Sequence, residues 1–259
     1  MMPMNMKVWL YTLCWNEEDI IPFVVEYWKH LNVDKAIVYD NGSTDKSLEL
    51  LSKIPFAEIR HFETDGMNDN THIEIKNSCW KECRENDVDY VIVCDMDEVL
   101  WSDDFEGELK KMKDDHFNVL GCEWHTLCED YMPKHEDGVL LHTQCHKFYH
   151  QNINKTHVKL GKFTLFDPHL VDEIGYTPGA HVANVTPNLD LYISDHVTGM
   201  HIDKGFGADY MIARRHLMND RLSQTNRQLR YCYEYGYSEE VIREEYKRNQ
   251  SSSYDINAR

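Results

Sequence analysis

The sequence predicts an α/β fold built on a mainly parallel sheet with helices on both faces and a mixed C-terminal region. Three observations carry this expectation. Apolar runs and helical repeats alternate four times within the first hundred residues, the pattern of successive strand–crossover–strand units. The polar residues Asn16, Asp40, Asp95 and Asp97 fall just past the ends of apolar runs, and open parallel sheets bind ligands at the carboxyl ends of their strands. No stretch reaches the roughly 18 successive apolar residues that a membrane helix needs, so the apolar content is expected in a core and not in a bilayer.

Val8 to Cys14 reads as the first strand. Asn16 follows as a helix N-cap, with Glu17, Glu18 and Asp19 in the first turn. Ile20, Val24, Tyr27, Trp28 and Leu31 then recur at helical spacing. Lys35 to Tyr39 is a second strand ending at Asp40. Asn41-Gly42 makes a turn, and Ser43 or Thr44 caps a helix running to Leu51. Ala57 to Phe62 is a third strand, and a helix from about Asn70 to Glu85 turns Ile73, Trp80 and Cys83 inward. Asp89 to Cys94 is the fourth strand, with Asp95-Met96-Asp97-Glu98 directly after it. Beyond Phe105, strands are expected over Asn118–Trp124, Gly138–Tyr149 and Gly161–Phe166. Helices are expected over Asp209–Tyr235 and Ser238–Arg248, followed by a polar, disordered tail from Gln250 to Arg259. One domain covering residues 1–249 is the expected layout.

The net charge is −18, from 45 acidic and 27 basic residues. Such a field repels nucleic-acid backbones and anionic membrane surfaces, so nucleic acid is not an expected partner. An anionic ligand would need a cation or local Lys and Arg. The start of the chain, Met1 to Met6, lacks the apolar segment of a secretory signal. The 8 cysteines are therefore expected as reduced thiols in a cytoplasmic protein. Cys122, Cys128 and Cys145 lie near His125, His142 and His146 and offer zinc ligands, but without a CxxC pair buried thiols are the favoured reading.

Asp95-Met96-Asp97 is a weak motif by itself, because short acidic triplets are common in solvated loops. Its position strengthens it: Val91, Ile92 and Val93 drive the strand into the core, so both carboxylates emerge at the ligand edge. Two carboxylates one residue apart can share Mg²⁺ or Mn²⁺. Such an ion would neutralise a diphosphate and stabilise it as a leaving group. Asp40 at its strand end can accept hydrogen bonds from a base or ribose, and the backbone N–H groups that open the next helix favour an anion.

Leu13 to Glu18, then Val38 to Asp45, then Asp95 to Glu98 resemble family-2 glycosyltransferases in order and spacing. Lys76-Asn77 is similar to the Arg-Asn pair on that family's third helix. A looser likeness continues with Lys162, Phe166 and Pro168, with Gly179-Ala180-His181 and with His201-Ile202-Asp203-Lys204, the pattern of a subgroup whose DxD runs into a glutamate. The resemblance implies a Rossmann-like GT-A fold, with residues 1–100 as the nucleotide-binding half and 101–249 as the acceptor half. It also implies a nucleoside-diphosphate sugar donor, inversion at the anomeric carbon and a glycan or lipid-linked acceptor. The setting it evokes is bacterial surface polysaccharide or glycan synthesis, in the cytoplasm or against the inner face of the membrane. By the same resemblance Asn16, Glu17, Asn77 and His181 would help bind the donor, and Asp40 would contact the base. Lys76 would lie near the base or phosphates, and Asp95 would meet the ribose or the metal. Asp97 would be the direct metal ligand, with His201 as a third. Asn41 stands where many relatives have a second aspartate, and Lys76 loses the bidentate reach of an arginine.

An inverting transfer also needs a carboxylate to take the acceptor proton. Glu123, Glu129, Asp130, Asp167 and Asp195 are candidates, and Asp130, in a loop after the strand ending near Trp124, is favoured. Two other readings compete. Asp95-Met96-Asp97-Glu98-Val99 superficially fits a haloacid-dehalogenase-type phosphatase with Asp95 as nucleophile, although that motif normally follows a first strand. A non-catalytic sugar-nucleotide-binding protein would bind the donor without turnover.

Overall fold

The computed structural model describes residues 6–150, 162–202 and 205–258. The first residue of the strand expected from Gly161, the Asp203-Lys204 end of the His201 motif, and Arg259 lie outside these described residues.

Strands β1 (Val8–Cys14), β2 (Lys35–Asp40), β3 (Ala57–His61) and β4 (Tyr90–Asp95) pair in the order β3-β2-β1-β4, all parallel. Their registers align Cys14 with Asp40, Asp40 with His61, and Leu13 with Asp95, so all four strands end along one rim. Alternation divides the apolar residues between two cores. Val8, Leu10, Ala36, Val38 and Ile92 face one core with helix α1 (Ile21–His30), while Trp9, Tyr11, Ile37, Val91 and Val93 face another with Trp80 and Cys83. Burial on both faces explains why β1, β2 and β4 are continuous apolar runs, while β3, at the sheet edge, is half-exposed and carries Glu58 and Arg60.

The crossovers differ locally from expectation. Asn16 does not cap α1, which opens at Ile21 with Pro22 in its first turn and no side-chain cap. Asn16 instead takes a left-handed backbone, φ 51°, and its side-chain oxygen accepts the Thr44 N–H at 2.7 Å. It thereby ties the loop after β1 to the loop after β2. Helix α2 is short (Ser47–Leu51), and α3 (Asp69–Ser78) continues as a 3-10 helix over Cys79–Asn86. Trp80 and Cys83 on that stretch are fully buried, as their spacing implies.

The second half contains β5 (Glu98–Ser102), α4 (Phe105–Asp114), β6 (Val119–Leu127), β7 (Phe148–Tyr149), β8 (Leu165–Phe166) and β9 (Leu191–His201). It closes with α5 (Ala208–Arg221), α6 (Gln224–Leu229) and α7 (Glu239–Ser251). The sheet continues as β4-β8-β6-β9-β5, with β7 on the side of β6. β8 inserts antiparallel between β4 and β6, and β5 pairs antiparallel with β9. That last pairing sets Glu98 opposite His201, joining the end of the acidic motif to a residue about a hundred positions later. Gly199 permits the sheet to close there, because a Cβ at this position would lie 2.4 Å from the Trp124 ring.

Two expectations are corrected. Gly138 to Tyr149 is mostly loop with one 3-10 turn, Leu141–Gln144, and only Phe148–Tyr149 is strand. The segment after Gln250 packs against the domain: Phe148 and Tyr254 exchange backbone hydrogen bonds of 3.0 and 2.9 Å, and the Asn257 amide donates to the carbonyls of His142 and Cys145. Cys122, Cys128 and Cys145 are buried free thiols, and among the described residues no group that could hold a metal contains a cysteine.

His142 lies in the core between α1 and β5. Its Nδ1 is 3.0 Å from the Tyr27 hydroxyl, and its ring stacks on Trp101 at a 4.2 Å centroid distance. Burial, with the nearby His30, lowers its pKa from 6.5 to about 4. Between those values the unfolded chain binds a proton that the folded chain refuses, so stability falls as pH drops through this window. The slope is at most about 1.4 kcal/mol per pH unit. Urea unfolding at pH 7.5 and pH 5 should show His142→Gln losing about 2 kcal/mol less than the wild type on acidification; equal losses would rule out His142 as a source of the acid sensitivity.

Candidate active site

A cavity of about 550 Å³ opens over the rim where β1 and β4 end. Its walls come from the loop after β1, Asn41 after β2, the Asp69–Lys76 face of α3, the Asp95–Asp97 turn, the Pro178–His181 turn, α5, and the Arg230–Tyr235 turn.

At its floor, Lys76 from α3 is buried and its Nζ lies 2.7 Å from Asp95 Oδ1. Burial alone would lower the Lys76 pKa, but Asp95 and Glu98 outweigh it and push it up to about 12. Burial pushes the Asp95 carboxyl the other way, yet Lys76 and then Lys162 hold it well below the usual carboxylate range. Both groups are therefore charged at neutral pH. Glu98 sits beneath them, buried, accepting the Asp95 backbone N–H at 3.0 Å and holding the Lys162 ammonium.

Beside this pair, His201 Nε2 stands 3.3 Å from Asp97 Oδ2. One ligand atom each from Asp97, Glu98 and His201 can be chosen so that all lie within 4.8 Å of one another. Asp95 is not in that group, since its carboxylate turns to Lys76. The donor set thus differs from the expected Asp95, Asp97 and His201 by replacing Asp95 with Glu98. Two carboxylates and one imidazole suit Mn²⁺ and, with fewer nitrogen donors, Mg²⁺, so the residues fit the ion that the sequence calls for. Because Glu98 already serves Lys162, Asp97 and His201 are the donors best placed for a cation in the cavity.

The other sequence-predicted residues divide into wall and scaffold. His181 lines the cavity, and burial, then Lys162, lowers its pKa to about 3, so it faces a ligand as a neutral ring. Glu17 also lines it, ion-paired to Arg214. Asp40 does not: it is buried, and its carboxylate accepts the Gly42 and Ser43 N–H groups at 3.0 and 3.1 Å, which fixes the turn after β2. The residue of that turn on the wall is Asn41. Asn77 is likewise structural, exchanging hydrogen bonds of 3.1 and 2.8 Å with the Tyr176 backbone. Asp130 is off the cavity wall, and its exposed carboxylate is held by Lys147 and Gln250, so the position chosen for the base is not supported.

Residues missed in the sequence form the basic side of the cavity. Arg221 lies 4.0 Å over the Trp15 ring and donates to the Asn41 carbonyl at 2.6 Å, and Arg214 caps the loop after β1 through the Asn16 carbonyl. Desolvation lowers the Arg221 pKa to about 10, still well above neutrality. The two arginines are seven residues apart on α5, two helical turns, so they share a face. That spacing was the available signal.

Removing one member of the Lys76–Asp95 pair leaves a charge in a poorly solvated place. Lys76→Met should cost about 2 kcal/mol, less than for a fully buried pair because Asp95 opens to the cavity. Adding Asp95→Asn should restore part of it in a double-mutant cycle by urea unfolding; strictly additive losses would mean the pair is not coupled.

The sequence profile of glycosyl transferase family 2 matches residues 10–175. No curated protein matches the chain. Among solved structures, S. aureus TarS 1-349 aligns over 94% of this chain and 71% of that chain, at 11% identity and a TM-score of 0.47. The same TarS fragment in complex with UDP-GlcNAc aligns over 94% and 72%, at 11% identity and a TM-score of 0.46. A mycobacterial protein aligns over 47% of this chain and 42% of its own, at 15% identity and a TM-score of 0.32. The profile match spans well over half of the chain, from β1 past the acidic motif and Lys162, and the sheet is that of a GT-A fold. The chain belongs to glycosyl transferase family 2.

Proposed function

We propose that this glycosyltransferase takes its sugar from a nucleoside-diphosphate donor, transfers it with inversion, and works with Mn²⁺ or Mg²⁺ at Asp97 and His201. The observation that carries the reading is the juxtaposition of those two donors with Lys76, Lys162, Arg214 and Arg221 around one cavity. A chain of net charge −18 has gathered cations at one rim, which is what an anionic ligand needs. When bound there, a divalent cation supplies positive charge against the departing diphosphate. The chain's own residues do the rest. Arg214 and Arg221 receive phosphate oxygens, Asp95 on its Lys76 anchor accepts from the ribose, and neutral His181 meets the sugar. The carboxylate that accepts the acceptor's proton belongs among the cavity-lining residues, since Asp130 faces elsewhere. The acceptor is a glycan or lipid-linked saccharide. Among the described residues no helix is long and apolar enough to cross a membrane.

The phosphatase reading fails. Its nucleophile would be Asp95, which follows the fourth strand here and is committed to Lys76, and the chain belongs to a transferase family. A non-catalytic donor-binding protein predicts that no sugar nucleotide is turned over.

Calorimetric titration of UDP and GDP with Mn²⁺ and with EDTA tests the proposal. Binding should tighten at least tenfold with metal, and Asp97→Asn should remove most of that gain. Arg221→Ala should weaken binding roughly tenfold with or without metal, the scale of a charged hydrogen bond. Equal binding of wild type in EDTA would remove the metal from the mechanism, and failure to release nucleoside diphosphate from any sugar nucleotide would favour the non-catalytic reading.

A further inference from the structure

We propose that Glu123, His125 and His150 form a second divalent-metal site, of zinc type, on the face of the sheet opposite Asp97 and His201. The sheet register places it there. Thr126 of β6 is level with His201 of β9, and His125 is level with Met200. Successive residues point to opposite faces. Glu123 and His125, two apart beyond the β6 irregularity, therefore share one face, and Thr126 and His201 share the other. β7 supplies the third member: Tyr149 pairs with Thr126 in antiparallel register, so the next residue, His150, falls beside His125.

The result is one carboxylate and two imidazoles whose ligand atoms can all be chosen within 4.8 Å of one another. His150 Nε2 and Glu123 Oε1 are 3.3 Å apart. Two ligands at about 2.0–2.1 Å from a tetrahedral zinc ion sit roughly 3.4 Å apart, so this pair already has the required spacing. The outer shell is also arranged as metal-bound histidines need it. His150 Nδ1 is 3.3 Å from the Trp124 carbonyl, which accepts its N–H and leaves Nε2 to face Glu123. His125 Nδ1 is 2.6 Å from the Tyr254 hydroxyl. Such partners fix ring orientation and tautomer in metal sites. Two imidazoles with one carboxylate favour zinc over the oxygen-seeking Mg²⁺. The third group of this kind, Glu26, His135 and Asp137, is weaker, since Glu26 already serves Lys29 and the Gly138 N–H while Asp137 is exposed. The Glu123 site would clamp β7 to β6 and, through Tyr254, hold the C-terminal segment against both.

Equilibrium dialysis with Zn²⁺ tests this, on wild type, Asp97→Asn/His201→Gln, Glu123→Gln/His150→Gln and Tyr254→Phe. The substitutions at Glu123 and His150 are near-isosteric and partly exposed, and circular dichroism reports whether each variant folds. The Asp97/His201 variant should keep one Zn²⁺ at unchanged affinity and still gain several degrees in Tm with the ion. Glu123→Gln/His150→Gln should lose that ion by at least a hundredfold. Tyr254→Phe, which removes the hydroxyl beside His125 Nδ1, should weaken it roughly tenfold. Co²⁺ in place of Zn²⁺ should give tetrahedral absorption bands in the Asp97/His201 variant and none in the Glu123/His150 variant. Retention of the ion by Glu123→Gln/His150→Gln, or no micromolar binding to the Asp97/His201 variant, would overturn the proposal.

Discussion

Glu98 is the residue on which the arrangement of the candidate active site depends. It is a buried carboxylate, which is costly unless paired and hydrogen-bonded. Here it is both: it holds the Lys162 ammonium and accepts the Asp95 backbone N–H. The first contact fixes a lysine from beyond β7. The second fixes the turn that aims Asp95 and Asp97. Its strand register with His201 brings the imidazole level with that turn. One buried charge thus sets the positions of two aspartates, a lysine and a histidine that are far apart in sequence.

The same logic resolves the charge problem. Lys76, Lys162, Arg214 and Arg221 each lie against a carboxylate, a carbonyl or an aromatic ring. The scaffold therefore carries the desolvation of its own cations before any ligand arrives. A preorganised set of this kind loses little side-chain freedom when an anion binds. Trp15 has a place in this: it sits under Arg221 and keeps that guanidinium over the cavity.

How much of this was legible in the sequence follows from the physics of each element. β1, β2 and β4 were readable because a strand buried on both faces must be a continuous apolar run. β5 and β9 were not. β5 begins with the ionic Glu98, which reads as the end of a solvated loop, and β9 carries Asp195 and His196 in the middle of its strand. Asn16 and Asp40 were found as conspicuous polar residues at strand ends, but what makes them conspicuous is loop construction: one bridges two loops and the other caps its own turn. Asp97, Lys76, Glu17, His181 and His201 do reach the cavity. Asp130 was inferred from proximity to a strand end, and local sequence does not show that Lys147 folds back onto it. The tail after Gln250 reads as disordered because it is polar, yet it docks by backbone pairing that polarity does not reveal. Arg214 and Arg221 carry a helical spacing that becomes informative only once α5 is known to cross the rim.

The central claim is that the rim beside β4 binds a diphosphate through a cation held by Asp97 and His201. The most direct measurement is anomalous diffraction from crystals grown with a nucleoside diphosphate and Mn²⁺. The account predicts a manganese peak within coordination distance of Asp97 and His201, with the diphosphate of the nucleotide beside it in the cavity. A nucleotide seated in the cavity with no manganese at those residues, or manganese found only elsewhere on the protein, would contradict it.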